Sequence, residues 1–207
     1  MTSNFIDSSD SVLTCRQVYD EMNQLLSSKK MIRNYNRRIL IGDENQFTME
    51  TELFPVAALK VYSAWNLEDD ISEEDKAKYF SAHRGGSQGD YRSGMKRKIQ
   101  NVVDCLQKFP RSKRAVITVP NNPHHCHECD DDTKCMREIH FYYSSEQNKL
   151  DATVWMRAQA VEIFPKNIHF VGSLMQRISE ALSSQSNKIN PGELFYLATT
   201  LVSVRED

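Results

Sequence analysis

Apolar residues recur at helical spacing in four stretches of this 207-residue chain. The stretches run from Val12 to Leu26, from Phe54 to Trp65, from Lys96 to Lys108 and from Ile168 to Leu182. Apolar positions three and four residues apart form one face of a helix, so each stretch is predicted to be an amphipathic helix. Pro110 follows the third stretch and is expected to end that helix, because proline cannot continue the backbone hydrogen bonding.

Other segments are short, β-branched or alternating, and these features indicate strands. Residues 37–49 are predicted to be extended, and the segment RAVITV at 114–119 is predicted to be a strand that ends before Pro120. Glu138–Tyr143 and Leu150–Ala158 flank the polar segment SSEQNK, which favours a hairpin. The apolar stretch from Leu194 to Val204 fits either a helix or a strand.

The mixture of helices and hairpin strands predicts the α+β class. A chain of this length suits one domain, which we expect to cover residues 12–207. Residues 1–11 are polar, and we expect them to form a flexible N-terminus.

Composition narrows the functional classes. Hydrophobic residues make up 40% and charged residues 26%, and the formal net charge is −2, so we expect neither nucleic acid nor a membrane as a partner. No apolar run approaches the roughly 20 residues of a membrane span, and the polar N-terminus does not resemble a signal peptide. The five cysteines are an odd number, which argues for a reducing compartment and predicts a cytoplasmic location.

Histidine, cysteine and acidic residues are concentrated in the segment PNNPHHCHECDDDTKC, residues 120–135. Cys126 and Cys129 have the spacing of half a zinc site, and His124 or His127 could add a ligand. The segment has no second Cys-x-x-Cys pair, so the alternative is a polar loop with reduced thiols and no metal.

Arginine and asparagine side chains supply two further candidates. Lys113 and Arg114 precede a predicted strand and Arg157 lies in a later one, and cations so placed bind phosphate or simply face solvent. Asn167 follows Pro165 at the start of a predicted helix, where its amide would read the edge of a base or cap the helix. The local pattern favours the cap.

Taken in order, these segments resemble the thymidylate synthase family. SKRAVITVPN (112–121) resembles its strand with a basic start, and CMREIHFYY (135–143) resembles its nucleophilic cysteine and first hairpin strand. PKNIHF (165–170) resembles the loop whose asparagine faces the pyrimidine, and NPGELFYLATTL (190–201) resembles the Pro-Gly-Glu segment. The resemblance extends over roughly residues 15–204.

The resemblance implies a mixed or antiparallel sheet packed with helices, in a homodimer that binds a pyrimidine nucleotide. It implies that Cys135 adds as a thiolate to C6 of the base, and that C5 then accepts a methyl or hydroxymethyl group from methylene-tetrahydrofolate. Asn167 would read the O4/N3 edge of the base. The implied phosphate contacts are Arg33, Lys113, Arg114 and Arg157, of which Lys113 and Arg114 would reach the nucleotide of the partner subunit.

Several positions depart from the family pattern. His-His-Cys-His at 124–127 makes Cys126 a rival nucleophile, and the run from Arg157 to Ala160 lacks the family's serine and aspartate. The catalytic glutamate has no clear counterpart, and the sequence ends at Asp207, ahead of the family's segment that closes over folate.

Three hypotheses therefore stay open. We favour a diverged transferase of one-carbon groups acting on a pyrimidine nucleotide. The second is another enzyme of the same fold, in natural-product or nucleotide-modification chemistry, with zinc or iron in the His/Cys cluster. The third is a nucleotide-binding protein without catalysis.

Overall fold

A single mixed sheet runs through the part of the chain that the computed structural model describes, residues 11–80, 90–119 and 134–204. Seven strands belong to it within those ranges. Their bounds are β1 Val12–Thr14, β2 Met31–Leu40, β3 Val116–Thr118, β4 Met136–Ser144, β5 Lys149–Met156, β6 Gln159–Ala160 and β7 Asn190–Val202.

The order of the strands across the sheet is β1-β2-β7-β5-β4-β3, and the short β6 also pairs with β7. The pairs β1–β2, β5–β7 and β6–β7 are parallel, and the remaining neighbours are antiparallel. The predicted hairpin is confirmed as β4 and β5, whose last paired residues before the turn are Ser144 and Lys149.

Six α-helices accompany the sheet in the described ranges, together with one 3₁₀ turn at Val161–Ile163. They are α1 Cys15–Leu26, α2 Glu44–Phe47, α3 Val56–Asn66, α4 Glu73–Tyr79, α5 Met95–Lys108 and α6 Phe164–Leu182.

Helix α6 is the centre of the core. Thirteen of its 19 residues are buried, and it contacts β5 and β7 of the sheet as well as α1, α2, α3 and α5. Aromatic pairs join these layers, with the Phe164 ring 5.5 Å from that of Tyr196 on β7 and the Phe170 ring 5.8 Å from that of Tyr91. Any side chain in the first turn of α6 is therefore held by packing on several sides.

The two faces of the sheet differ in burial. Ile139, Val154 and Tyr196 lie side by side in the register of β4, β5 and β7 and are fully buried beneath the helices. Residues on the opposite face alternate with them. On that face Trp155 is 46% exposed and Phe195 is 38% exposed.

Two predicted boundaries were wrong. The helix expected from Val12 begins at Cys15, because the Thr14 side chain accepts a hydrogen bond from the Gln17 backbone and Gln17 bonds back to Thr14. This capping box fixes the first turn, and the three residues before it pair with β2. The extended segment expected at 37–49 begins earlier, as β2, and gives way to the short α2.

The remaining elements agree with the sequence patterns. The predicted helices at 54–65, 96–108 and 168–182 are present as α3, α5 and α6, and the stretch from Leu194 lies in the strand β7. The α+β class is confirmed. Within the described ranges, no helix has both the length and the apolar character needed to cross a membrane.

Gly172 of α6 allows the close approach of α2. A Cβ at this position would stand 2.3 Å from Cγ of Phe47, far inside van der Waals contact. We expect Gly172→Ala to lower the free energy of unfolding by about 1–3 kcal/mol through overpacking. Helix propensity alone predicts the opposite sign, a gain of about 1 kcal/mol. Urea unfolding measures the difference.

The double variant Phe47→Ala/Gly172→Ala is the control. Because Phe47 is the clashing group, adding Gly172→Ala to Phe47→Ala should cost little or should stabilise. An equal cost in both backgrounds would contradict the clash.

Candidate functional site

Cys135 and Arg157 are brought together at the end of the β4–β5 hairpin. The Arg157 backbone N–H donates to the Cys135 carbonyl at 2.7 Å, continuing the ladder one step beyond Met136 and Met156. The Arg157 guanidinium then lies against the thiol, with Nη2 3.8 Å from Sγ. The thiolate is the nucleophile in cysteine chemistry, so Cys135 is the candidate nucleophile of this site. Arg157 lies just after β5 rather than inside it, and is exposed.

Three buried tyrosines lie near Cys135. Tyr62 of α3, Tyr196 of β7 and Tyr91 are each at most 5% exposed. Burial raises the pKa of all three phenols, and the charge that Cys135 would carry adds to this effect in each case. The tyrosines therefore stay protonated and can donate hydrogen bonds. Tyr91 is held in place by its backbone N–H, which donates to Oδ1 of Asn66 at 2.6 Å.

Asn167 is linked to Tyr196 through a shared hydrogen-bond partner, Gln159. It is the fourth residue of α6 and is buried, so its predicted role as helix cap is wrong; the helix begins earlier, at Phe164. Its Nδ2 donates to Oε1 of Gln159 at 3.0 Å, and the same oxygen accepts from the Tyr196 hydroxyl at 2.5 Å. Oδ1 of Asn167 has no hydrogen-bond partner in the described part of the chain. A buried, unused acceptor is costly unless a ligand supplies a donor.

Lys166 adds a buried cation next to Asn167. It is 3% exposed, and its Nζ lies 4.6 Å from the centroid of the Tyr62 ring and 6.0 Å from that of Phe54. Burial lowers the pKa of Lys166 to about 8, against a smaller upward effect of Cys135. An amine with such a pKa exchanges protons near neutral pH.

The other predicted phosphate ligands lie apart from Cys135. Lys113 and Arg114 are exposed beside a groove of about 800 Å³ that also includes Ser145, at the turn end of the β4–β5 hairpin. Cys135 lies at the opposite end of β4. Arg33 is exposed on β2 and pairs with Thr200, so it lies at the Cys135 end of the sheet but two strands away from β5.

The metal hypothesis concerns residues outside the described ranges. Cys126, Cys129, His124 and His127 all lie between 120 and 133, of which the structure gives no account. Elsewhere in the chain, the described residues contain no group of three side chains suited to hold a metal ion.

The sequence patterns missed most of the pocket. Tyr62 and Tyr196 occupy ordinary apolar positions of a helix and a strand, and nothing in their spacing separates them from core residues. Lys166 did carry a signal. It stands in the segment FPKNIHF, where its neighbours Pro165 and Ile168 are apolar, and a lysine inside an apolar helix start is unusual.

A second polar cluster surrounds His169 on another side of α6. Ser63 Oγ lies 2.6 Å from Nδ1 of His169, at the edge of a cavity of about 220 Å³. Two ion pairs line this cavity, with Lys60 2.9 Å from Glu44 and Arg177 donating to both carboxylate oxygens of Asp69. We therefore assign the cluster a structural role.

His169 gives a prediction for stability against pH. Burial lowers its pKa from 6.5 to about 4, with smaller effects of Glu44 and Lys60. Between those values the unfolded chain binds more protons, so stability falls as the pH falls through this window. We expect the free energy of unfolding to drop by about 2 kcal/mol from pH 7 to pH 5 on account of this residue.

Urea unfolding at both pH values, on the native chain and on His169→Asn, checks this. The variant removes the titrating group, so its drop should be smaller by about 2 kcal/mol. Equal drops in the two proteins would show that His169 is not the group responsible.

No protein-family model matches this chain, and a search of the curated proteins found no match.

Proposed function

We propose that this protein binds a pyrimidine nucleotide and activates C5 of its base for one-carbon transfer, by addition of the Cys135 thiolate to C6. The observation that carries the proposal is the contact of Cys135 Sγ with Arg157 Nη2, 3.8 Å apart, together with the buried Asn167, whose Oδ1 has no hydrogen-bond partner among the described residues. A nucleophile, an anion-binding cation and a base-reading amide are the three groups such a reaction needs.

The order of the elements supports a thymidylate synthase-like fold as part of the proposal. A basic segment precedes β3, Cys135 precedes β4, Arg157 follows β5, Asn167 lies in the first turn of α6, and β7 begins at Pro-Gly-Glu. The resemblance predicts this succession.

Each residue has a defined chemical task. Cys135 Sγ forms a bond to C6, and the electron pair of the C5–C6 double bond moves onto C5 and the O4 carbonyl. Asn167 Oδ1 is an acceptor for the N3–H of a uracil ring, which would satisfy an atom otherwise buried alone. Arg157 is exposed, and its forked guanidinium suits the phosphate at the pocket mouth.

Methylene-tetrahydrofolate is the one-carbon donor that the resemblance implies. Its flat ring would need an apolar aromatic surface, whereas the ammonium of Lys166 lies 4.6 Å from the Tyr62 ring beside the pocket. The described residues therefore do not fit this donor.

Nucleotide binding is the first test. We expect dUMP, UMP or a cytidine monophosphate to raise the melting temperature of the purified protein, because a ligand of the folded state stabilises it by about 2.7 kcal/mol at 100 times its Kd. Arg157→Gln should weaken binding about 10- to 100-fold through loss of a charged contact. Thermal shift and calorimetry, each with and without methylene-tetrahydrofolate, measure both effects.

Arg97→Gln is the matched control, since Arg97 is an exposed arginine on α5. Cys135→Ser should still bind nucleotide and should lose all turnover, whereas Cys105→Ser should keep both. The proposal would be refuted if none of the pyrimidine nucleotides raised the melting temperature of the protein.

The proposal includes a homodimer formed through the open face of the sheet. Trp155 and Phe195 are exposed there, and Tyr142 of β4, 47% exposed, extends the same face. An aromatic sheet face of this kind is typical of an interface. A two-fold arrangement that reverses the strands would also bring Lys113 and Arg114 of one subunit to the Cys135 end of the other.

Trp155→Glu tests the interface. We expect a chromatographic mass of two chains for the native protein and of one chain for this variant, because a carboxylate cannot be desolvated in an apolar contact without a partner. Val204→Lys, a change at another exposed apolar residue beyond the end of β7, should leave the mass unchanged. A native protein that elutes as one chain would remove the dimer from the proposal.

A further inference from the structure

Lys166 is a buried residue near Cys135 that has no part in the proposed addition of the thiolate to C6. It lies in the first turn of α6, between Pro165 and Asn167, and only 3% of its surface is exposed. Its Nζ stands over two aromatic rings, 4.6 Å from the centroid of Tyr62 and 6.0 Å from that of Phe54. A charged lysine side chain is costly to bury, and fully buried lysines are rare.

Contacts on either side connect Lys166 with the nucleophile. Its neighbour Asn167 bonds to Gln159, which lies two residues beyond Arg157, and Arg157 contacts Cys135. Tyr62, whose ring lies against the ammonium, also interacts electrostatically with Cys135. Lys166 and Cys135 therefore belong to one cluster of interacting residues.

We propose that Lys166 is the acid–base residue of the Cys135 pocket, and that it exchanges a proton with the ring carbon next to the one that the sulfur attacks. This inference rests on the proposed function. It assigns to Lys166 the proton transfer for which the sequence has no counterpart of the family's glutamate.

The proton transfer balances without any other reactant. Sγ bonds to C6, and the C5–C6 electron pair takes a proton from the Lys166 ammonium to form a C5–H bond. The neutral amine then removes one of the two hydrogens now on C5, the electron pair restores the double bond, and the C6–S bond breaks. The net result is exchange of the hydrogen on C5 with solvent, which needs no one-carbon donor.

The protonation behaviour of Lys166 suits this role. Burial lowers its pKa to about 8 and the charge on Cys135 acts in the opposite direction, so the ammonium and the amine are both accessible near neutral pH. Among the described residues, the other ionisable groups that interact with this cluster are Cys135, Arg157, Tyr62, Tyr91, Tyr196 and Asp90. The pKa of each of the three tyrosines is raised above its usual value, so the tyrosines do not titrate near neutral pH.

Direct titration of Lys166 is the first experiment, and it uses no ligand. Lysine side chains labelled with carbon-13 are followed by NMR against pH in the native protein, with Lys166→Met to assign the signal. We expect a pKa of about 8 for Lys166. In Cys135→Ser we expect a lower pKa, because the charge of Cys135, which raises the pKa of Lys166, has been removed. A Lys166 signal that titrates like the lysines at the surface would overturn the inference and leave the proposed function intact.

Hydrogen exchange at C5 is the second experiment. The protein is incubated in heavy water with the pyrimidine nucleotide that gives the largest thermal shift, and loss of the C5 proton signal is followed by NMR. We expect Lys166→Met to bind the nucleotide within about threefold of the native Kd but to exchange at least about 100-fold more slowly. The native rate should fall above about pH 8, as the ammonium is lost, and the variant should lack this limb.

Lys98→Met is the matched control, because Lys98 is a partly buried lysine of α5 whose pKa is also lowered by burial but which interacts with Glu68. It should exchange at the native rate. Native-like exchange in Lys166→Met would overturn the inference alone. A native protein that binds nucleotide without any exchange would also overturn it, whereas failure to bind any nucleotide would overturn the inference together with the proposed function.

Discussion

The antiparallel pairing of β4 with β5 is the constraint on which the candidate site depends. Cys135 and Arg157 are distant in sequence, and the hydrogen bond from the Arg157 N–H to the Cys135 carbonyl holds them as the next step of the ladder. In a strand, a slip of one residue turns every side chain to the opposite face. The register of this hairpin therefore decides whether the guanidinium meets the thiol, and the buried pair Ile139–Val154 helps to fix that register.

The second constraint is the polar first turn of α6 inside the core. Lys166 and Asn167 are buried at the start of a helix whose other buried residues are mostly apolar. An amide left without a partner in such surroundings costs about 1–3 kcal/mol. The Asn167 Nδ2 donates to Gln159 Oε1, which also accepts from the Tyr196 hydroxyl. Its Oδ1 has no hydrogen-bond partner among the described residues. An unfavourable group kept inside a fold in this way is more typical of a functional site than of a structural core.

The sequence predicted the α+β class, the hairpin and three of the helices, because these depend on local periodicity. It predicted the wrong start for α1, where the Thr14 capping box outweighs the apolar pattern that extends back to Val12. It assigned Asn167 to a helix cap because asparagine is a preferred N-cap residue, whereas the helix begins earlier, at Phe164. Cys135, Arg157 and Asn167 were predicted as site residues from the order of motifs. The buried tyrosines near Cys135 were not predicted, since their position in the site depends on contacts between elements distant in sequence.

The positions of Lys113 and Arg114 constrain how two copies could form a site. Ala115 and Phe141 are bonded across β3 and β4, and six residues of strand separate Phe141 from Cys135, which corresponds to about 20 Å. An arginine side chain cannot cover that distance, so neither residue reaches a phosphate bound near Cys135 of its own chain. Both can do so in a partner whose strands run the other way across the shared sheet face. The same geometry explains why the exposed aromatic face and the two cations would serve one function, since each site would be completed only when the faces of two subunits are joined.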